Sequence, residues 1–505
     1  MKKRFAICST IVLLLLLSAC GAPQTLDFSY APEGEELSFL MVETSQTHRA
    51  ELEHVPSAAD FADAISDDPA SAGLLSESEV ESLLRGHAAM ETVSKEQAQS
   101  DVSLLFRTLQ SAYGAYEYFG QEKFDAAEDA VTQWLSSQDD EIKVSALGEK
   151  LQESLAFMLA HDAHAVIYEP AAEETEAQVR YEYFFADGFY FSKDVNGSYY
   201  MVNDGERWTL SSFSDEHVSV QPTLLQDGRI VYQPTLFALR KDAVQSSVTL
   251  KNSSGKAKIY RLDWTESQPL DVDLGTLDYR LIQEDGLTYV SLRSFVSGTY
   301  DNMLARYARE GAKARGSKAV IYDLRGNVGG SDSWPRKWIQ SFLGTQNSIE
   351  TSMLYAQKNS ALFAAENSES LLPEDEGTCF AREVHGTWYE NDIPIIVLVD
   401  DHCGSSGEVQ LLKTLDNVLI VGSNTAGYQL CGNISTFTLP YTGIGVRFGS
   451  TLFLYGDGEN VDHRGYAPDV WCDPQDALAS VLALLKEQGV VSADACETVR
   501  EKIVK

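Results

Sequence analysis

Four short runs of almost unbroken apolar residues in the C-terminal half constrain this chain most. They lie at 287–292, 318–324, 394–399 and 418–421, and aliphatic and β-branched side chains dominate each. A strand that is apolar on both faces has to be covered on both faces, and that is the habit of parallel sheets. Residues 300–314 and 408–415 separate the runs with helical spacing. Strand and helix in alternation predict an α/β layer architecture with a largely parallel sheet, over about 276–490.

The upstream chain reads differently. Leu104, Leu105, Leu109 and Tyr113 recur at helical steps, and 124–135 and 144–159 repeat the signal, so 96–170 is expected to be a helical subdomain. From 181 to 264, aromatic and β-branched residues alternate between Asn196-Gly197, Asp204-Gly205 and Asp227-Gly228 turns. Such a pattern predicts short strands and hairpins, a β-rich insert over 171–275. Residues 491–505 are left as a C-terminal tail.

The N-terminus predicts a compartment. Lys2-Lys3-Arg4 precedes an apolar run and then Leu17-Ser18-Ala19-Cys20. A cationic start, a short apolar stretch and small residues at the cut make a secretory signal over 1–19. The run is shorter than the roughly 20 residues a spanning helix needs. Cys20 after Leu-Ser-Ala resembles the lipobox of bacterial lipoproteins. It implies lipidation of Cys20 and a chain held on the extracytoplasmic face of the cell membrane. Residues 20–95, rich in Glu, Asp, Ala and Ser, are then expected to be a tether and a loosely packed region.

The net charge is −36, from 39 basic and 75 acidic residues. It disfavours nucleic acid as a partner. Of seven cysteines, Cys379, Cys403, Cys431, Cys472 and Cys496 lie beyond Cys20. They show no CxxC pair and no zinc-ligand spacing, so no metal site is expected from them.

Two turns carry candidate chemistry. The run at 394–399 leads into Asp401-His402-Cys403-Gly404-Ser405-Ser406-Gly407-Glu408. A serine between strand and helix is either an N-cap or a nucleophile placed where N–H groups stabilise an oxyanion. The run at 318–324 leads into Arg325-Gly326-Asn327-Val328-Gly329-Gly330. Those glycines make a tight loop or aim an N–H at the same oxyanion. Without a following Gly-Lys-Ser/Thr or a GxGxxG, nucleotide binding is not expected.

Asp323-Leu-Arg-Gly-Asn-Val-Gly-Gly330 resembles the Asp-Leu-Arg-x-Asn-x-Gly-Gly signature of the C-terminal processing (tail-specific) proteases. Cys403-Gly-Ser-Ser-Gly-Glu408 resembles their Thr-Ala-Ser-Ala-Ser-Glu, which makes Ser405 the nucleophile. Gly422-Ser-Asn-Thr-Ala-Gly427 is similar to their Gly-x-x-Thr-x-Gly, and the segment 456–469 to their closing motif. The family's Ser/Lys branch has its lysine where Tyr428 stands, and Lys413 lies on the segment after Ser405. The tricorn-type branch uses histidine instead. Leu159-Ala-His-Asp-Ala-His164 is similar to its pattern, with His161 as competitor for His164. The acid maps to Asp462, with Glu459 as the alternative.

The resemblance implies a ClpP/crotonase-like protease core without cofactor. It implies a Ser405/His164/Asp462 triad and an oxyanion hole from Ser406 with Gly329 or Gly330. It implies protein or peptide substrates and leaves the oligomeric state open. The family often carries a PDZ-like module where 171–275 stands. No Gly-Leu-x-x-Gly-Asp signature is present there, so such a module would be degenerate. Cys403 and Cys431 both fall beside the implied site, where they would either pair or remain two buried free thiols. A catalytically silent binding protein on the same fold is the alternative reading.

Overall fold

The structure is a computed structural model. It describes residues 32–65, 75–168 and 181–504, apart from positions 187, 240–245, 269, 272–277, 299, 368, 370, 373–374 and 457. The signal segment and Cys20 lie outside the described residues. Among the described residues, no helix is long and apolar enough to cross a membrane.

The four apolar runs are neighbouring strands. Leu287–Ser291, Ala319–Asp323, Ile395–Val399 and Val418–Gly422 lie parallel in that order, and Val470–Trp471 follows. Every residue of the first four is buried. Period-two alternation sends Tyr289, Ile321 and Ile396 to one face and Val290, Tyr322 and Val397 to the other. The first face is covered by Ala477–Glu487 and Ala493–Val504, the second by Asp301–Glu310 and Ser333–Leu343. The core is therefore the expected α/β layer arrangement, and it does not stop at 490: Ala493–Val504, expected as a tail, is a helix that buries Ala495, Cys496 and Val499 in it.

Part of the region 20–95 is not the loose tether the composition predicts. Leu37–Glu53 is a helix that buries Leu37, Leu40 and Met41 with the sheet core. His48 Nε2 lies 3.0 Å from Asp469 Oδ1. The buried set also includes Thr44, Ser45 and His48, so the apolar stripe is diluted by polar residues and its period is hard to see.

The β-rich insert is continuous with the core. Strand Val218–Leu224 joins Val470–Trp471 through Thr223, and Ile230–Leu239, Tyr181–Ala186 and Trp264–Glu266 extend the sheet to ten strands. A separate five-stranded sheet packs on this extension around Phe191, Trp208 and Tyr260. The helical subdomain forms as expected, from Lys95–Ala112 to Ala156–Leu159. Its apolar face packs on a third sheet that contains Cys431–Thr438 and Gly445–Tyr455. That docking sets the segment after Leu159 against the loop before Cys431.

The helix expected over 408–415 is absent. The chain makes two single 3-10 turns, Ser405–Gly407 and Leu412–Thr414. Glu408 between them is extended, with ψ 168°. Its carboxylate reaches across to the amides of Gly427 and Tyr428, a tie that a continuous helix through 408 would not make.

Candidate active site

In an open parallel sheet the loops at the carboxyl ends of the strands form the crevice. Here the loops after Asp323, Val399 and Gly422 converge, and buried polar side chains fix them. Asp323 is fully buried and receives Arg325 Nη2 at 2.7 Å, Arg293 Nη1 at 3.1 Å and Tyr289 Oη at 2.8 Å. Burial alone would raise its carboxyl, but the two guanidiniums outweigh it and hold Asp323 well below the carboxylate range. Asn327 donates to Leu292 O at 2.8 Å and accepts Gly404 N–H on its carbonyl at 3.0 Å. Asp400 accepts Gly326 N–H at 2.8 Å.

Ser405 sits at the tip of this frame with φ +51°, a left-handed backbone that a non-glycine residue adopts at a cost. Gly329 lies against it, and a β-carbon there would come within 2.8 Å of Ser405 Cβ. Ser406 Oγ donates to Gly330 O at 3.0 Å, locking the two loops together. Gly329 N–H donates to Asn327 Oδ1 at 2.9 Å, so of the two glycines Gly330 keeps the oxyanion role open.

His164 arrives from the helical subdomain. Its N–H donates to Asp162 Oδ1 at 2.9 Å, and Arg447 Nε donates to its carbonyl at 3.0 Å. Its imidazole packs edge-on against the Tyr428 ring, with centroids 5.1 Å apart. The same Tyr428 ring lies 3.1 Å from where a β-carbon of Gly404 would be. Tyr428 is thus a neighbour of both the histidine and the Ser405 turn. His164 is buried and its Nδ1 has no hydrogen-bond partner. Burial, with Arg447 adding, pushes the imidazole down to about 4 against the pull of Asp162, so it is neutral at pH 7. His161, the competitor, is exposed.

These loops fall within a segment, residues 286–471, that matches the model of peptidase family S41. That segment is similar to peptidase family S41. That family consists of serine-type peptidases, and the expected likeness to C-terminal processing proteases is met. No curated protein matches the chain. Three solved structures are similar to it. Mature CPAF is 13% identical, with TM-score 0.40, covering 78% of this chain and 98% of its own. The photosystem II D1 C-terminal processing protease is 16% identical, with TM-score 0.37, covering 79% and 98%. A lipoprotein from Streptococcus agalactiae is 15% identical, with TM-score 0.34, covering 80% and 98%.

Within the matched segment, Asp462 is placed differently from a side chain aimed at the imidazole. Its Oδ2 accepts Ala163 N–H at 2.9 Å, and its Oδ1 accepts Gln429 and Leu430 N–H at 2.8 Å each. Asp462 therefore ties the residue before His164 to the two residues after Tyr428. Burial, then the nearby Asp162, raise its carboxyl to about 7 although the amides oppose the shift. Glu459 pairs with Arg464 at 2.6 Å, at an exposed position. Lys413 pairs with Glu51 at 2.7 Å.

Burial raises the Glu408 carboxyl to about 8, and its Oε1 accepts the amides of Gly427 and Tyr428 at 2.9 and 3.2 Å. Tyr113 and Asp162 were not singled out in the sequence as site residues. Tyr113 Oη donates to Asp162 Oδ2 at 2.8 Å, beneath His164. The one sequence signal was an aspartate two residues before the histidine.

Of the two outcomes open for Cys403 and Cys431, the structure has free thiols and no disulfide. Both thiols are free and buried, and Cys403 Sγ donates to Leu324 O at 3.0 Å. Asp400, Asp401 and His402 bring three donor atoms within 4.8 Å of one another. Asp400 already accepts the amides of Gly326, His402 and Leu270, so its oxygens are engaged in the fold.

Proposed function

We propose that this chain is an extracytoplasmic, lipid-anchored serine endopeptidase that works through Ser405, His164 and Asp462. Ser405 Oγ attacks the scissile carbonyl and His164 takes its proton, later returning it to the leaving amine. The amides of Gly330 and Ser406 receive the oxyanion. Asp462 supports the base by fixing the backbone on either side of the His164–Tyr428 contact. One observation supports this reading. A buried imidazole with an unpartnered Nδ1 comes from a distant segment and packs on Tyr428, whose ring also lies beside Gly404, next to the strained Ser405. Tyr428 fills the position of the lysine in the Ser/Lys branch, which favours the histidine mechanism.

A fluorophosphonate probe tests it. Wild-type protein should be labelled at Ser405, while Ser405→Ala and His164→Ala should each lose labelling. Nucleophile and base act as a unit, so the double variant should be little worse than either. Unlabelled but folded wild-type protein would favour the silent binding protein instead. For the anchor, Cys20→Ala should move the protein out of the membrane fraction, and an unchanged fraction would rule the lipobox out.

A further inference from the structure

Helices Asp301–Glu310 and Ser333–Leu343 leave an open surface groove of about 550 Å³ where they meet. Arg309 and Arg315 line one side, and Trp334, Lys337, Gln340 and Ser341 the other. No lining residue is acidic. That is unusual in a chain with 75 acidic and 39 basic residues. Neighbouring cations outside the groove are matched: Arg306 and Lys313 both pair with Glu310, and Arg336 pairs with Glu350. Arg315 is engaged as well, donating from Nε to the carbonyls of Ser341 and Phe342 at 2.9 Å and so capping the helix end. Arg309 and Lys337 differ. Among the described residues neither has a carboxylate partner, and Lys337 Nζ lies 4.5 Å from the centroid of the Trp334 ring.

The groove is also connected to the nucleophile turn. Gly330 bridges to Phe295, and Ser331 N–H donates to Phe295 O at 2.9 Å. The chain then enters the groove helix, where Trp334 Nε1 donates to Ser297 Oγ at 2.9 Å. The helix carries the lining away from that point by roughly 1.5 Å per residue, about 16 Å in all. An extended peptide covers that distance in about five residues.

We propose that this groove is an exosite for an acidic stretch of a polypeptide substrate, with carboxylates received by Arg309 and Lys337. The proposal rests on the peptidase reading above. An open, elongated groove with amide and hydroxyl side chains and one indole suits an extended acidic chain. A phosphate group wants several donors converging on one point, and here Arg315 is committed to helix carbonyls.

The test uses the full chain carrying Ser405→Ala and a fluorescein-labelled hexaglutamate peptide, read by fluorescence anisotropy. Adding Arg309→Glu and Lys337→Glu should weaken binding about tenfold or more, and binding to the parent should weaken as salt rises. With Ser405 intact, the Arg309→Glu/Lys337→Glu protein should react with fluorophosphonate at the unaltered rate, which shows that fold and site survive. Equal hexaglutamate affinity with and without the two substitutions would overturn the proposal. So would groove-dependent binding of inorganic polyphosphate with none of hexaglutamate. If Ser405 proves unreactive while hexaglutamate binding still depends on Arg309 and Lys337, the peptidase reading fails and the acidic-peptide site stands.

Discussion

Substituting Gly329 by alanine should disable the nucleophile by geometry alone. Gly329 has φ +94°, and a β-carbon there would lie 2.4 Å from Gly404 O, 2.8 Å from Ser405 Cβ and 3.0 Å from Ser406 N. Carbon atoms in contact prefer about 3.5–4.0 Å, so the Ser405 turn must retreat by roughly 1 Å. Backbone atoms form most of the obstruction, and no flexible side chain can swing aside. A misplacement of about 1 Å costs on the order of a hundredfold in rate. The left-handed backbone adds strain of about 1–2 kcal/mol for an L-residue. Gly197→Ala is the matched control: φ is +79° and nothing lies within 4 Å of the new carbon. Both variants should lose about 1–2 kcal/mol or more in urea unfolding. Only Gly329→Ala should lose about a hundredfold in the second-order rate of fluorophosphonate labelling. Labelling of Gly329→Ala within about threefold of wild type would refute the claim that this glycine seats the serine.

The pH profile of that labelling should rise through about 4 and be flat by about pH 6, because burial holds His164 neutral down to about 4. A rise centred near 6.5, the ordinary histidine value, would refute it. The same depressed value means that stability falls as pH drops from about 6.5 towards 4, since the unfolded chain takes up the proton first. Glu408 shifts the opposite way: its folded value of about 8 makes its contribution complete below about 4.5 and lost as pH rises through 8. Glu408→Gln mimics the protonated acid, so urea unfolding should show its advantage over wild type growing between pH 5 and 8.5; parallel curves would contradict this. Lys413→Ala should leave labelling within about tenfold, the effect of 1.4 kcal/mol, because its ammonium pairs with Glu51. A complete loss would restore a lysine base.

The parallel sheet was legible because burial on both faces leaves no polar residue to interrupt runs such as Ile395–Val399. The helical subdomain was legible for the complementary reason, a clean stripe from Leu104 to Tyr113. Leu37–Glu53 was missed because His48, Thr44 and Ser45 share its buried face with leucines. The segment 408–415 was misread for a tertiary reason. Val409, Leu412 and Leu415 are all buried with helix-like spacing, yet Glu408 is pulled straight by two amides of another loop. No local pattern could reveal that pull. The free cysteines have a similar cause: Cys403 points its thiol at Leu324 O within its own core layer, although the sequence places it beside Ser405.

The motif residues themselves explain why the site could be located before its contacts could be known. Asp323, Asn327, Asp400, Glu408 and Asp462 all use side-chain oxygens to accept backbone N–H groups, and all but Asp323 and Asn327 reach into another loop to do so. A buried amide left without an acceptor costs about 1–3 kcal/mol, so each of these side chains is demanded by the loop it holds. Their spacing in sequence therefore records how the loops are tied, and the chemistry is a consequence of the tying. Asp462 is the clearest case. Three amides occupy its carboxylate, two of them beside Tyr428 and one beside His164. Such a group controls the imidazole through the backbone that carries it, and its role follows from which loops it joins.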